Sequence, residues 1–225
     1  MIIEQLTGQV TSHLSELKNG ILIHSSVIRD FSALQKAAKQ ANFNLQIASG
    51  FRSFARQSLI WNNKYSGKSE LLDKLEHPID ISTISELEKL LAILHWSALP
   101  GTSRHHWGTD FDLYDPDLLP ENGKLQLKVS EYTKDYFLEF NDWLTANINN
   151  YGFYRPYQTY NNGVASEPWH ISYFPIANKA LKQLDLDHVH HLIDKNNILG
   201  KSLICEQLPM IYERFISNIN IYNGV

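Results

Sequence analysis

Side chains that can bind a metal are concentrated in residues 100–113. This segment holds two histidines, His105 and His106, and two aspartates, Asp110 and Asp112. A Pro-Gly pair opens the segment and predicts a turn, and its last residues predict the start of a strand. The four side chains are therefore expected on a loop that runs into a rigid element, where proteins commonly build functional sites.

A second short segment, residues 167–170, adds a glutamate and another histidine. We interpret the two segments as halves of one zinc site. A catalytic zinc takes three protein ligands and keeps one position open. His105, Asp112 and His170 would supply two nitrogens and one oxygen, a set that lowers the pKa of a bound water. Glu167 is then a spare carboxylate that can take a proton from this water and return it to a leaving amine.

Spacing alone does not decide between neighbouring donor residues. His106 competes with His105 as a ligand, and Asp110 competes with Asp112. The two aspartates are two residues apart, so they share one face of the predicted strand. Both can point at the site, one as a ligand and the other as a group that holds a ligand in place.

Strands and helices must position these segments. Strands are predicted at residues 21–23, 45–48, around 111, near 154 and at 169–174. Helices are predicted at residues 26–41, 53–64, from 85 towards 99, at 134–149 and, with breaks, at 176–225. We therefore expect an α+β fold in which helices flank a small, mostly antiparallel sheet that carries the zinc site.

Local signals predict where several helices begin and end. Ser53 is a candidate N-cap, residues 85–88 form a Ser-Glu-Leu-Glu capping box, and Asn42 is a helix stop. The helix after the capping box is expected to bury one leucine stripe, Leu87, Leu90, Leu91 and Leu94. Residues 66–83 are polar and contain a proline, so we expect an exposed excursion there.

A single domain is expected over residues 1–225, because 225 residues with 43% hydrophobic content suit one folded unit. The part of this domain that holds the two site segments covers about residues 45–174, and residues 176–225 are predicted as a C-terminal helical extension on the same domain. Breaks in this extension are predicted near Asp187, 196–197 and Pro209. The run at 188–191 is interpreted as exposed helix surface and not as a second metal site.

Composition excludes several classes of protein. A net charge of −4 with mixed signs argues against a nucleic-acid binder that relies on phosphate contacts. No apolar run approaches the roughly 20 residues of a membrane-spanning helix, so no membrane span is expected. The single cysteine cannot form an intrachain disulfide. No sequence pattern predicts an oligomeric state.

Three motifs stand in order along the chain. They are Ser49-Gly50-Phe51-Arg52-Ser53, Ser103-x-His105-x-x-Gly108-x-x-x-Asp112 and Glu167-Pro168-Trp169-His170. Together they resemble the signature of the zinc D-alanyl-D-alanine carboxypeptidases of the vancomycin-resistance type, in peptidase family M15. The resemblance covers roughly residues 45–174. Asp110 departs from it, because many members carry a small residue there, and the pair at 106–107 is bulkier than common versions.

The resemblance implies one zinc ion per chain, held by His105, Asp112 and His170. It implies that Glu167 is the catalytic base, that Arg52 holds the substrate near the scissile carbonyl, and that Ser103 contacts the substrate. Arg52 also has a chemical rationale, since a guanidinium binds a terminal carboxylate or an oxyanion through charge-assisted hydrogen bonds.

The implied activity is hydrolysis of the peptide bond before a C-terminal D-alanine in peptidoglycan-derived peptides. An L,D-carboxypeptidase or a peptidoglycan endopeptidase would carry the same motifs, although an endopeptidase needs an open groove. The alternative from another class is a zinc-stabilised binding module, similar to the hedgehog signalling domain. A complete ligand set beside Glu167 and Arg52 favours the enzyme.

The N-terminus lacks the basic region and apolar stretch of a signal peptide. The sequence therefore predicts a cytoplasmic enzyme that meets soluble peptides, with a periplasmic location as the alternative.

Overall fold

A computed structural model describes residues 1–220 and Tyr222 of the chain. Its strands are β1 Leu14–Glu16, β2 Leu22–His24, β3 Gln46–Ser49, β4 Asp110–Tyr114, β5 Phe153–Tyr154 and β6 His170–Tyr173. Strands β1 and β2 form an antiparallel pair, and the other four form an antiparallel sheet in the order β3-β4-β6-β5. The predicted small antiparallel sheet is confirmed.

Helices surround this sheet and complete the predicted α+β fold. In the described residues they are α1 Ile3–Leu6, α2 Ile28–Gln40, α3 Phe54–Tyr65, α4 Glu86–Trp96, α5 Val129–Thr133, α6 Leu138–Asn147, α7 Phe174–Gln183, α8 Leu186–Lys195 and α9 Lys201–Ile211. A π-helical turn, Tyr212–Ile216, follows α9. Within the described residues, no helix has the length and apolar character needed to cross a membrane.

The local sequence signals explain several helix boundaries. Ser53 caps α3 by accepting a hydrogen bond from the backbone of Arg56, and Ser85 and Glu88 form the predicted capping box of α4. Asn42 takes a left-handed conformation, with φ of 66°, just beyond α2. The predicted stripe of α4 is wrong at Leu87, which is 42% exposed, whereas Ile93, which was not part of the predicted stripe, is fully buried.

The register of β4 and β6 gives the sheet one polar and one apolar face. Asp112 pairs with His170 and Asp110 pairs with Ser172, so these four side chains share a face. The intervening pair, Phe111 and Ile171, points to the other face. That apolar face packs into a core with helices α2, α5 and α6.

A second core lies on the other side of the site. It is built from α3, α4 and the C-terminal helices, and it includes Trp61, Leu94, Ile204 and Phe215. The described part of the predicted C-terminal extension is therefore an integral half of this core and not an appendage. The rest of that extension, residues 221 and 223–225, lies outside the described residues.

Two predicted helix boundaries are wrong. The helix predicted at residues 134–149 is shorter, α6 Leu138–Asn147, with the separate helix α5 before it and a 3-10 turn, Ile148–Tyr151, after it. The predicted break at Pro209 is absent, since α9 continues through this residue to Ile211. Proline lacks only one backbone donor, and here the helix ends two residues later in the π-helical turn.

Candidate metal centre and its cavity

His105 lies on a 3-10 turn, Arg104–Trp107, that leads into β4. The turn ends at Gly108, whose φ of 66° is left-handed. A β-carbon at this glycine would lie 2.5 Å from Leu14 Cδ2 and 2.8 Å from the backbone nitrogen of His24. Glycine therefore allows the turn to pack tightly against the β1–β2 pair and then enter β4, which carries Asp112.

The three predicted ligands meet at one point of the buried sheet face. His105, Asp112 and His170 each offer a donor atom, and these atoms lie within 4.8 Å of one another. His105 Nε2 is 3.4 Å from Asp112 Oδ2, and His170 Nδ1 is 3.2 Å from Asp112 Oδ1. All three residues are buried. Strand register brings Asp112 and His170 together, and the loop before β4 adds His105.

Hydrogen bonds fix the orientation of both imidazole rings. His105 Nδ1 lies 2.9 Å from the carbonyl oxygen of Gly50, so it is the protonated nitrogen and Nε2 faces the centre with its lone pair. His170 Nε2 donates to Asp110 Oδ1 at 3.1 Å, which leaves Nδ1 to face the centre. Metal-ligating histidines are typically held this way, with one nitrogen on the metal and the other donating to an oxygen.

The donor set fits a zinc ion. Two imidazole nitrogens and one carboxylate oxygen, with a side open to a cavity, match the ligands of a catalytic zinc. Asp112 Oδ1 is buried and has no hydrogen-bond partner among the described residues. A buried carboxylate oxygen without a partner is costly, and a bound cation would satisfy it.

The protonation states also suit metal binding. Burial lowers the pKa of His105 to about 4, so this ring is neutral at neutral pH. Burial would raise the pKa of Asp112, but His105, His170 and Arg52 outweigh it and hold the pKa at about 2. Ligands bind metals in these forms, as neutral imidazole and ionised carboxylate.

His170 lies among three carboxylates. Burial would lower its pKa, but the adjacent carboxylates of Asp110, Asp112 and Glu167 raise it well above its ordinary value. The same carboxylates that favour a proton on Nδ1 favour a metal cation there.

His106 is engaged on both ring nitrogens. Nδ1 donates to the carbonyl oxygen of Arg52 at 2.6 Å, and Nε2 accepts from the backbone N–H of Gly101 at 3.1 Å. Burial lowers the pKa of His106 to about 3. Neither nitrogen is left for a metal, so of the two competing histidines His105 is the one that offers a free donor.

Asp110 lies behind His170 in a buried ion pair with Arg104. Arg104 Nε donates to Asp110 Oδ1 at 2.7 Å, and Arg104 Nη2 donates to Ser172 at 2.6 Å and to Tyr154 at 3.2 Å. Asp110 was a candidate ligand in the sequence, whereas no role was predicted for Arg104. The available signal for Arg104 was its position next to the candidate ligand His105, in a segment with few other charged residues.

Arg52 extends from the end of β3 towards the metal centre. Its guanidinium donates to Ser49 Oγ and to Gln57 Oε1, both at 3.0 Å, and Nη2 is 3.9 Å from Asp112 Oδ2. Gln57 in turn donates to the carbonyl oxygen of Ala98 at 2.7 Å. No role was predicted for Gln57, although this polar residue lies four positions before the buried Trp61 on the same helix face, which was a signal.

A cavity of about 330 Å³ opens beside the metal centre. The three candidate ligands, Arg52, Ser103 and Glu167 all line it. Glu167 Oε2 is 3.3 Å from His170 Nδ1, and burial raises the pKa of this carboxyl. The cavity therefore brings together every residue for which the sequence predicted a site role.

The histidine run at 188–191 does not form a comparable group. His188 is exposed on α8 and lies 3.0 Å from Asp185 Oδ2. Among the described residues, the group with metal-binding geometry is the one formed by His105, Asp112 and His170.

Comparison with known proteins identifies relatives. The family model for D-alanyl-D-alanine carboxypeptidase, VanY, matches residues 20–176. An uncharacterised protein of Haemophilus influenzae is 39% identical over 121 residues, which cover 52% of this chain and 92% of that protein. The matched family region contains all six predicted site residues and ends before most of α7.

Two solved structures resemble the fold. One is a Zn(II) complex of a mutant of the vancomycin-resistance D,D-pentapeptidase VanY from a VanB-type cassette. It is 27% identical, with a TM-score of 0.52, and the match covers 76% of this chain and 84% of that one. The other is VanYB in complex with D-alanine-D-alanine, 24% identical with a TM-score of 0.55, covering 84% of this chain and 92% of that one.

Proposed function

Because the chain belongs to the VanY family of D-alanyl-D-alanine carboxypeptidases, we propose that it is a zinc-dependent carboxypeptidase that removes a C-terminal D-alanine from peptidoglycan-type peptides. The observation that supports this most directly is one cavity in which His105, Asp112 and His170 converge beside Glu167 and Arg52. The zinc-stabilised binding module fits less well, since a purely structural zinc site needs neither an acid–base group nor a cation beside an open cavity.

His105, Asp112 and His170 would hold the zinc. When bound, the ion supplies a Lewis acid that lowers the pKa of a water and polarises the scissile carbonyl. The backbone carbonyl of Gly50 and the carboxylate of Asp110 keep the two rings in the orientation that this binding requires.

Glu167 is proposed as the proton carrier. It takes a proton from the attacking water as the water oxygen bonds to the carbonyl carbon. It then gives this proton to the amide nitrogen as the C–N bond breaks, which releases D-alanine. The raised pKa of Glu167 suits a group that must both accept and donate a proton near neutral pH.

Arg52 is proposed to stabilise the carbonyl oxygen of the substrate. Its guanidinium is held by Ser49 and Gln57 next to Asp112. Its N–H donors can therefore bind the carbonyl oxygen as negative charge develops on that oxygen. Ser103, buried at the cavity wall, is proposed as a substrate contact.

Release of free D-alanine from defined peptides tests the activity. We expect hydrolysis of peptides ending in D-Ala-D-Ala and none of peptides ending in L-alanine, with loss of activity on chelation and recovery with zinc. Cleavage only where an L-residue precedes the terminal D-alanine would favour the L,D-carboxypeptidase, and cleavage only of internal cross-links would favour the endopeptidase. No hydrolysis of any of these peptides by zinc-loaded protein would overturn the proposal.

The variant Glu167→Gln tests the mechanism. It leaves the three candidate ligands in place, so zinc content should stay near one per chain. The rate should fall on the order of a hundredfold or more, as for loss of a general base. Hydrolysis at the parental rate would remove Glu167 from this role.

The cellular location of the enzyme is part of the same proposal, because it decides which substrates the enzyme meets. A cytoplasmic enzyme would act on soluble precursors or recycled wall fragments, whereas a periplasmic one would meet the wall itself. Fractionation of unlysed cells, with the enzyme located by its activity, distinguishes the two.

A further inference from the structure

The loop at residues 156–167 brings Glu167 to the metal centre. It lies between β5 and β6, and the backbone N–H of Glu167 at its end donates to the carbonyl oxygen of Tyr157 near its start at 2.9 Å. Tyr157 also lines the cavity, and its ring lies edge-on to the ring of His170, with the centroids 5.1 Å apart. A displacement of this loop would therefore move Glu167 relative to the candidate metal ligands.

The middle of this loop has little core packing of its own. Residues 158–162 are exposed, so they bury little apolar surface that could fix their conformation. Helix α4 holds the end of the loop, because the backbone carbonyl of His95 accepts from Ala165 at 2.9 Å and Nδ1 of His95 lies 3.1 Å from the carbonyl oxygen of Gly163. The exposed part depends on contacts from another segment.

These contacts come from a C-terminal segment, residues 212–220. Asn218 exchanges two hydrogen bonds with Asn161, both at 2.6 Å. Its Nδ2 donates to the backbone carbonyl of Asn161, and its Oδ1 accepts from the side-chain amide. Asn220 pairs with Thr159 in a similar way, because its Oδ1 accepts from the backbone N–H at 3.1 Å and its Nδ2 donates to Oγ1 at 2.9 Å.

Further contacts join the same two segments. The backbone N–H of Asn220 donates to the carbonyl oxygen of Pro156 at 2.8 Å, and Arg214 Nε donates to that of Asn162 at 2.6 Å. A β-carbon at Gly163 would clash with the backbone carbonyl of Arg214, so glycine allows this close approach. The C-terminal segment therefore contacts the loop from its first residue to Gly163.

The C-terminal segment lies beyond the matched family region, which ends at residue 176. Its Phe215 and Ile216 are buried in the second core and also line the cavity. The segment is therefore anchored in the fold at one side while its asparagines bind the loop at the other. It links the position of the loop to the walls of the cavity.

We propose that the C-terminal segment is a positioning element of the active site, which fixes the 156–167 loop through Asn218 and Asn220 and so holds Glu167 in the geometry that proton transfer requires. The assignment rests on the proposed carboxypeptidase function and adds two positioning residues to it. A displacement of about 1 Å near a reacting group can cost on the order of a hundredfold in rate. Neither asparagine lines the cavity, so zinc binding and substrate binding should be retained when they are replaced.

A double-mutant cycle tests this assignment through release of D-alanine from a peptide ending in D-Ala-D-Ala. The pair Asn218→Ala and Asn220→Ala would be introduced into the parent and into Glu167→Gln. In the parent, kcat and kcat/KM should fall together by about 10- to 100-fold with KM little changed, because geometry needed in the transition state is lost while substrate binding remains. In Glu167→Gln the pair should change the rate less than about twofold, because no base is left to position.

Hydrogen exchange of the zinc-loaded proteins measures the loop itself. Backbone amides of residues 157–167 should exchange about 10-fold faster or more in the double variant, while those of β4 and β6 keep the parental rates. Asn220→Asp keeps the acceptor for the backbone N–H of Thr159, so it should retain more of the rate than Asn220→Ala. Asn196→Ala is the matched control, because the side chain of Asn196 donates to the carbonyl of Leu192 in its own helix, and it should behave as the parent.

The outcomes are distinguishable from failure of the proposed function. A parental rate in the folded double variant, or equal fold losses in the parent and Glu167→Gln backgrounds, would overturn the positioning role while leaving the carboxypeptidase intact. If the double variant does not fold, Asn220→Ala alone, which removes side-chain contacts only to the exposed Thr159, carries the same test. A parent enzyme inactive on the peptide would overturn the proposed function and the catalytic role of the segment with it, and hydrogen exchange would still show whether the segment orders the loop.

Discussion

Asp110 accepts a hydrogen bond from Nε2 of His170 at 3.1 Å, on the side of the ring opposite the metal-facing Nδ1. The same carboxylate is held by Arg104 at 2.7 Å and by the hydroxyl of Thr109 at 2.7 Å. The position of the His170 ring is therefore set by a buried ion pair, of which Arg104 also lines the cavity and Asp110 does not. This is how the second aspartate of the strand contributes to the site.

Replacement of Asp110 by Asn should weaken zinc binding. Loss of the negative charge makes His170 a less effective ligand, and we expect the zinc Kd to rise about 10- to 100-fold. The change also leaves Arg104 buried without its counter-ion, which should reduce the free energy of unfolding by about 3–5 kcal/mol. Chelator competition and thermal melting measure the two effects.

A double variant separates these effects. Arg104→Met together with Asp110→Asn removes both charges, so most of the stability should return while zinc binding stays weak. Parental zinc affinity in the folded single variant would show that Asp110 does not support His170.

Substitution of the candidate ligands tests which of the two adjacent histidines, His105 or His106, binds the zinc. His105→Ala, Asp112→Ala and His170→Ala should each lose most of the zinc, because each removes one of three donors. His106→Gln should keep its zinc. It should instead lose about 1–3 kcal/mol of stability, because the buried groups of Arg52 and Gly101 lose a partner.

Elemental analysis and thermal unfolding check these expectations. Full zinc in any of the three ligand variants would contradict the ligand set. Loss of zinc from folded His106→Gln would contradict the assignment of His106 as a structural residue.

Arg52 variants should damage catalysis and spare the metal. Arg52→Ala is expected to lower kcat/KM about 100-fold or more, the scale for a lost oxyanion donor. Arg52→Lys should rescue poorly, because one ammonium cannot reproduce the fork that contacts Ser49 and Gln57 together. Arg56→Ala, in the first turn of α3 and exposed, serves as the control and should behave as the parent. Parental kinetics in Arg52→Ala would remove Arg52 from the site.

Stability should fall in acid partly through His24. Burial and the neighbouring His13 lower the pKa of His24 from 6.5 to about 4, and its Nδ1 accepts a hydrogen bond from Ser26. The unfolded chain therefore binds more protons than the folded chain between pH 6.5 and pH 4. The contribution of this residue is complete above about pH 6.5 and is lost as the pH falls towards 4.

The variant His24→Asn isolates this contribution. Asparagine keeps an acceptor for the backbone of Ser26 but does not titrate. Melting temperatures measured from pH 7 to pH 4.5 should decline less steeply in the variant, while any acid loss of zinc affects both proteins alike. Parallel declines would exclude His24 as a source of the acid sensitivity.

The sequence by itself determined the features that depend on neighbours along the chain. Alternation in a strand places Asp110 and Asp112 on one face, and Ser53 and Ser85 cap the helices that follow them. Three motifs in order also predicted the family and the residues that line the cavity. These features are local because side-chain direction and capping are set within one or two turns of backbone.

Only the tertiary structure decided the features that depend on partners distant in sequence. His105 and His106 are adjacent, and each donates its Nδ1 to a backbone carbonyl, that of Gly50 or that of Arg52. The backbone N–H of Gly101 engages the second nitrogen of His106 alone, so only His105 keeps a free one. Such choices follow from the pairing of β4 with β6 and from the packing of the C-terminal helices, because burial forces each polar group to take whichever partner the fold brings within hydrogen-bonding distance.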